Sequence, residues 1–300
     1  MPAALNEEGL SEVVGFVLLL GVLVMALSVY QIYAVPAEGR ANEIEHMNMV
    51  KDRFTDYKIA LDSLWVNKNN VTGVTLSTAF DLGTGSAATQ GGGLSLPILS
   101  PAGSSGAVSV RSGGAALTIT TPTNTTAIPL GSLQYVSGNN YWVDQTWTYQ
   151  MGGVFLTQSG GTTVRVSPSF SFYNVSGNAS VCIAPVNITG SALLAGSGPV
   201  RIETRLRDMP PYANLTGTFP WVKISIEAGD EGMARAWERV FKEAALRERI
   251  KPAWYAVGRG AETAYINITG PDTGAREDVT LRTVQADYRV SIATAASLIE

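Results

Sequence analysis

A single histidine, His46, and a single cysteine, Cys182, are all the chain offers for imidazole or thiolate chemistry. A Ser-His nucleophile needs a hydroxyl within hydrogen-bond reach of an imidazole, and a zinc site needs several nitrogen or sulfur ligands. Here a metal would have to be held by carboxylates almost alone, and no intrachain disulfide can form. Ala102-Gly103-Ser104-Ser105-Gly106 has the letters of a degenerate nucleophile elbow, but its only possible base, His46, lies on a distant helical segment. Gly83-Thr84-Gly85-Ser86-Ala87-Ala88 has the letters of a dinucleotide fingerprint. No amphipathic helix follows it, and Pro101 occupies the region where a ribose-binding acid would fall. Asp272, Glu277 and Asp278 cluster in a Gly/Pro-containing loop, so a carboxylate calcium site stays open beside the reading of a solvated turn. Cys182, in the apolar 181–184 run, reads as a small buried hydrophobe. No catalytic, cofactor-binding or metal residue is assigned, no cofactor is expected, and the chain is read as a non-enzyme.

Asparagine supplies the other chemistry. Seven N-x-S/T triplets start at Asn70, Asn124, Asn174, Asn178, Asn187, Asn214 and Asn267. With about 14 asparagines and about one residue in six Ser or Thr, chance gives roughly two or three. The excess points to N-glycosylation outside the cell; coincidence in a Ser/Thr-rich chain is the competing account. Charged residues make up 15% of the chain and the net charge is −4, with no basic stripe, so nucleic acid is not an expected partner.

These residues need elements to carry them. No charged residue occurs from 13 to 37, and the run VVGFVLLLGVLVMALSVYQIY matches the roughly 20 residues that cross a bilayer core of about 30 Å. Tyr30 and Tyr33 close it, where amphipathic rings favour the headgroup layer. The preceding MPAALNEEG has no Lys or Arg, unlike the basic start of an ordinary cleaved signal. A lipid bilayer is therefore an expected partner. Arg40, Lys51 and Arg53 follow the span, which by the positive-inside rule alone would hold the rest of the chain in the cytoplasm. The glycosylation triplets argue the reverse, and the expected arrangement is a single-pass cell-membrane protein with its C-terminal domain extracellular.

Gly9-Leu10-Ser11-Glu12-Val13-Val14-Gly15-Phe16 resembles the N-termini of archaeal type IV pilin-like surface proteins, which carry class III signal peptides. The likeness covers roughly residues 9–66. It implies that a prepilin peptidase cuts between Gly9 and Leu10 and that the apolar helix is retained. It also implies that Glu12, third in the mature chain, pairs with the free amine of a neighbouring pilin-like subunit, since a lone carboxylate in an apolar core is costly. Glu7 and Glu8 depart from the basic residue common before such cuts. As a residue alone, Glu12 also fits a polar cap at the membrane edge. Gly15 and Gly21 are the small residues that would let helices approach closely.

Beyond Pro36 and Gly39 a second stripe runs through Ile44, Met47, Val50, Phe54, Tyr57, Leu61 and Leu64, at nearly heptad period. Proline there allows a kink without ending the rod, and 10–66 as one helix would reach on the order of 85 Å. Such a stalk can serve assembly, or pack on its own domain, or both. From 67 onward the pattern is short β-branched runs with Gly, Asn and Pro punctuation. Strands are expected at 71–80, 107–111, 116–120, 134–136, 146–150, 154–157, 163–166, 170–173 and 179–183, then at 221–227, 265–268, 278–284 and 287–292. Residues 83–106 read as long loops or weak edges. One amphipathic helix is expected at about 230–250, with Met233, Trp237, Val240, Phe241 and Ala244 on one face.

The expected fold is α+β: a leader at 1–9, a transmembrane helix at 10–37, an amphipathic stalk at 38–66, and a β-rich domain at 67–300, sandwich-like or a meander. The functional expectation is a pilin-like subunit, minor or filament-associated given its large head, acting by assembly or adhesion. A monomeric membrane-anchored binding or adhesion protein is the alternative, and an anchored hydrolase a third.

Overall fold

The computed structural model describes residues 7–66, 74–85, 99–207, 215–284 and 286–294, with only the backbone of 7–11 and 294. Helix α1 spans Glu7–Val66 without a break, with Pro36 inside it. Sixty residues at 1.5 Å each make a rod of about 90 Å. Its Leu, Val, Met and Ala content suits a segment whose backbone must satisfy itself.

The strands follow in chain order. They are β1 (Thr75–Asp81), β2 (Ser105–Thr120), β3 (Thr125–Gly138), β4 (Thr146–Gln150), β5 (Gly153–Gln158), β6 (Gly161–Val166), β7 (Phe170–Val175), β8 (Asn178–Ile183) and β9 (Val186–Thr189). Then come β10 (Ser191–Gly196), β11 (Pro199–Leu206), β12 (Gly217–Phe219) and β13 (Val222–Glu227), helix α2 (Glu231–Arg247), and β14 (Tyr255–Arg259), β15 (Thr263–Ile268), β16 (Val279–Thr283) and β17 (Ala286–Thr294). Among the described residues they form three sheets, ordered β1-β11-β17-β9, β14-β15-β13-β2-β3-β4-β5-β6 with β10 on β2, and β12-β16-β8-β7. Most pairs are antiparallel, but β16 with β8 and β17 with β9 run parallel. The β-rich domain is therefore not a plain meander.

The separate strands expected at 107–111 and 116–120 are one strand, β2. Its register against β3 shifts between Arg111 and Ala115. Gly113 and Gly114 sit there at φ +78 and +85, a conformation that L side chains resist. The buried positions change faces along the strand: Val108 and Val110 before the bulge, Leu117 and Ile119 after it, and β3 changes with it from Leu133 and Tyr135 to Leu130 and Ile128. A bulge of this kind bends a strand without ending it. As a result β2 serves two cores. Its first half joins Phe54, Tyr57, Tyr149 and Tyr288 against α1. Its second half joins Phe155, Phe172, Trp237 and Phe241 against α2.

Helix α2 starts where the Asp230 carboxylate accepts the Met233 N–H at 2.8 Å. It ends before the expected residue 250. Arg249 adopts φ +52, with Arg249 N donating to Leu246 O at 3.1 Å and Ile250 N to Ala245 O at 2.9 Å. That is a Schellman closure with arginine where glycine is usual.

The second half of α1 belongs to the head's own core. Met47, Val50, Phe54, Tyr57, Leu61 and Leu64 are buried. Phe54 meets Phe80 edge-on at 5.4 Å and Trp147 at 6.3 Å, and Tyr57 meets Tyr149 at 5.3 Å. The Tyr57 hydroxyl bonds Thr204 Oγ1 at 2.9 Å, and the Tyr288 hydroxyl donates to Leu61 O at 2.7 Å. Ile44 lies off this seam and is exposed. Gly39, Glu43 and His46 extend the seam instead. Cys182 is half-buried, not buried.

Burial pushes the phenols of Tyr57, Tyr135, Tyr149 and Tyr288 well above their ordinary range. For Tyr57 the bond to Thr204 opposes this, while Asp62 adds to it at Tyr149 and Tyr288. A phenol raised in the folded state stabilises fully below its unfolded value of about 10, and that contribution is lost as pH climbs beyond it. The denaturant midpoint of the full chain in detergent should therefore fall once pH passes about 10, and Tyr149→Phe should soften the fall. A midpoint unchanged across that range would contradict a buried phenol seam.

Candidate functional site

Every residue from 12 to 33 of α1 is exposed, and the exposed side chains include Phe16, Leu18, Leu19, Leu20, Leu23, Met25 and Ile32. The segment is long and apolar enough to cross a membrane. A bare apolar surface of this length has no stable place in water. Glu12 stands at its N-terminal end. Nothing lies within 4 Å of where a Cβ would stand on Gly15 or Gly21, so both leave backbone open to an approaching helix. Gly9 and Leu10 lie in the first turn of α1.

The bare stretch ends at Val35, the first buried residue. Just beyond it the loop between β3 and β4 clasps the helix. Glu43 is 1% exposed. Its carboxylate accepts the Asn140 N–H at 2.6 Å and the Tyr141 N–H at 2.8 Å. A carboxylate held by successive backbone N–H groups is an anion in a nest, and such bonds are among the stronger ones. The Tyr141 ring lies over Gly39, where any Cβ would collide with it. Arg40 stacks on Trp142, its guanidinium 4.4 Å from the ring centroid. The loop is tied in turn to the 101–103 segment: Ala102 N donates to the Tyr141 hydroxyl at 3.1 Å, and Asn140 Nδ2 to Gly103 O at 3.1 Å. The sequence pattern missed this clasp because the stripe was read from Ile44 onward, with Gly39 at the junction before it and Glu43 left out. Their spacing of four, continuing to Met47, was the available signal.

A cleft of about 710 Å³ opens beside the clasp, lined among others by Glu38, Glu45, His46, Asp81 and Gly103. The fold thus brings His46 to the 102–103 backbone, which their separation in sequence did not suggest. His46 is 2% exposed, and its Nε2 donates to Asp81 O at 2.9 Å. Ser104 is buried and bonded to Thr84, accepting the Thr84 N–H at 3.1 Å. Among the described residues no hydroxyl–imidazole bond links them. Gly83 and Gly85 lie on this loop; residues 86–88 of the fingerprint-like run are outside the described residues.

No three His, Cys, Asp or Glu side chains converge on a metal position among the described residues. In the 272–278 loop, Asp278 is buried and its Oδ2 accepts the Asp272 N–H at 3.0 Å, Asp272 pairs with Arg276 at 3.3 Å, and Glu277 is exposed. Asp272 and Asp278 brace a turn.

Of the seven triplet asparagines, Asn124, Asn174 and Asn178 are exposed and Asn267 is half-buried on β15. Asn187 is 8% exposed and its Oδ1 accepts the Gly131 N–H at 3.1 Å. Its burial argues against a glycan on Asn187 in the folded domain. Asn70 and Asn214 lie outside the described residues. Comparisons with protein-family models, with curated proteins and with solved structures gave no match.

Replacing Glu43 by alanine leaves two N–H groups without their acceptor and should cost about 2–4 kcal/mol. Chemical unfolding of the full chain in detergent measures the cost, and limited proteolysis should report new cutting near residues 139–144. An unchanged midpoint and cutting pattern would mean that the clasp does not hold the head to the helix.

Proposed function

We propose that the chain is a pilin-like, membrane-anchored surface protein, a minor or filament-associated subunit whose head lies outside the cell. One observation carries the reading. A single helix presents a wholly bare apolar half, opened at Gly15 and Gly21, and continues unbroken into a half buried in its own head. Anchoring needs only the bare half. Assembly would pack bare halves of neighbouring copies together, with Glu12 compensating a neighbour's N-terminal amine inside the bundle. The resemblance of residues 9–16 to class III signal peptides supplies the remaining support, and with it a prepilin peptidase as processing partner. The exposed acceptors Asn124, Asn174 and Asn178 support an extracellular head.

Mass spectrometry of the native N-terminus comes first. A chain starting at Leu10 supports the pilin route, and an intact start sinks it in favour of a monomeric anchored binding or adhesion protein. Glu12→Gln should then leave processing and insertion intact but lower the subunit in sheared surface material, and Gly15→Leu with Gly21→Leu should do the same. Equal sheared amounts in all variants would remove assembly from the function. Glycopeptide mapping of the same material checks orientation. Glycans are expected among Asn124, Asn174 and Asn178 and not on Asn187, whereas a chain bare at all of these would remove that support for an outside head.

A further inference from the structure

The cleft beside the clasp has walls of one chemical kind. One wall is a stripe of α1: Glu38, Asn42, Glu45 and Met49, at steps of four, three and four, with His46 beside it. The other is Asp81 with the 83–85 and 101–103 segments. No lysine or arginine lines it. Glu38, Glu45 and Asp81 are exposed, and among the described residues none of them pairs with a basic side chain. A smaller hollow of about 220 Å³ shares His46, Met49 and Asp81 with it and adds Asp52, Arg53 and Asp56, so it brings no excess positive charge.

Acidic side chains on a surface need no ligand, but His46 is a separate observation. It is 2% exposed and lines the cleft. Its Nε2–H is committed to the Asp81 carbonyl at 2.9 Å, which leaves a lone pair on Nδ1 of the neutral ring. That Nδ1 is buried and has no hydrogen-bond partner among the described residues. A buried acceptor left unmet is costly, and what it lacks is a donor. Met49, one turn along on the same side of the helix, is exposed, and a methionine side chain is flexible enough to turn aside and admit one. Imidazole and carboxylates together fit a group that only donates and carries positive charge. An ammonium does both.

Spacing separates a chain of ammonium groups from a metal ion. A divalent cation gathers oxygens at about 2.0–2.6 Å around one point, and among the described residues no three His, Cys, Asp or Glu side chains converge in that way. Glu38 and Glu45 are instead seven residues apart along one helix face, about 10 Å at 1.5 Å per residue. A chain with ammonium groups that far apart meets both. The cleft volume of about 710 Å³ is that of a small-molecule site, since such pockets run to about 300–1,000 Å³. We propose that this cleft binds a linear oligoamine, laid along α1 with one ammonium at Glu38 and another at the end formed by Glu45, His46 and Asp81.

Spermidine is titrated calorimetrically into the full chain in detergent, at constant ionic strength. Saturable binding is expected. Glu38→Gln, Glu45→Gln and Asp81→Asn should each weaken it about fivefold or more. All three positions are exposed, so the fold should not depend on them. Glu243→Gln, at an exposed carboxylate on α2, should leave the affinity unchanged. His46 is the only histidine, so its two ring nitrogens can be followed by NMR without overlap. Spermidine should move the Nδ1 signal as that atom gains a donor, and leave Nε2 on its carbonyl. Absence of saturable binding overturns the proposal. Binding matched by butylamine or by magnesium at the same ionic strength also overturns it, because that is screening of an acidic face. Binding that survives the three substitutions, or that leaves Nδ1 unmoved, places the amine elsewhere and overturns the site.

Discussion

One helix has to satisfy two surroundings, and the rest of the structure follows from how it does so. From 12 to 33 every residue of α1 is exposed. After Val35, one stripe is fully taken up by the head. Burying Met47, Val50, Phe54, Tyr57, Leu61 and Leu64 at about 1.5–3 kcal/mol each gives on the order of 10 kcal/mol before entropy is counted. That is comparable to the whole net stability of an ordinary domain, about 5–15 kcal/mol. The helix is thus a core element of the head and not a tether attached to it. Pro36 falls at the change of surroundings. Its missing N–H leaves the Ile32 carbonyl without a helical donor, in the exposed part of the helix.

The two cores are joined through the long pair β2 and β3. Two extra residues at the Gly113-Gly114 bulge leave the alternation of side chains in phase. Strand β3 changes its buried positions in the same way, from Ile128 and Leu130 to Leu133 and Tyr135, so the α1 core lies on one face of this strand pair and the α2 core on the other. Gly131 on β3 faces the same crossing, and its N–H is taken by the buried Asn187. Asn187 thus fixes a place where strands approach too closely for a side chain on Gly131, which would collide with the Ile188 backbone.

What was legible in the sequence was what repeats locally. The apolar run, the Met47–Leu64 stripe, the Asp230 cap and the Met233–Ala244 face all show period and punctuation within one element. What was not legible depends on partners far along the chain. Glu43 binds N–H groups 97 and 98 residues away, and a carboxylate on a helix reads as solvated until such donors are placed. His46 reads equally as a solvated or a packed helix residue until the Asp81 carbonyl arrives beside it. The bulge in β2 hid as a loop, because Ser112-Gly113-Gly114 is also turn chemistry. Asn187 satisfies the acceptor pattern as well as Asn124 does, and only burial separates them. For the residues proposed to serve assembly the limit is different. Glu12, Gly15 and Gly21 are placed by the apolar run itself, but what they would meet, another helix or lipid, is not encoded in their spacing.

The polar character of the clasp has a physical reason. If the bare half crosses a bilayer, as proposed, an apolar contact between head and helix beside it would compete with lipid, which offers apolar surface of its own. A carboxylate seated on two N–H groups does not face that competition, because hydrocarbon cannot replace directional hydrogen bonds. Apolar packing alone also tolerates rotation of a helix about its axis by small slips of a stripe. The Glu43 bonds, the collision that keeps position 39 a glycine under Tyr141, and the Arg40–Trp142 stack each specify one rotation. Together they fix which face of the bare half of α1 points which way relative to the head. A bundle of such helices would then present its heads in one orientation, without any contact between the heads being needed to set it.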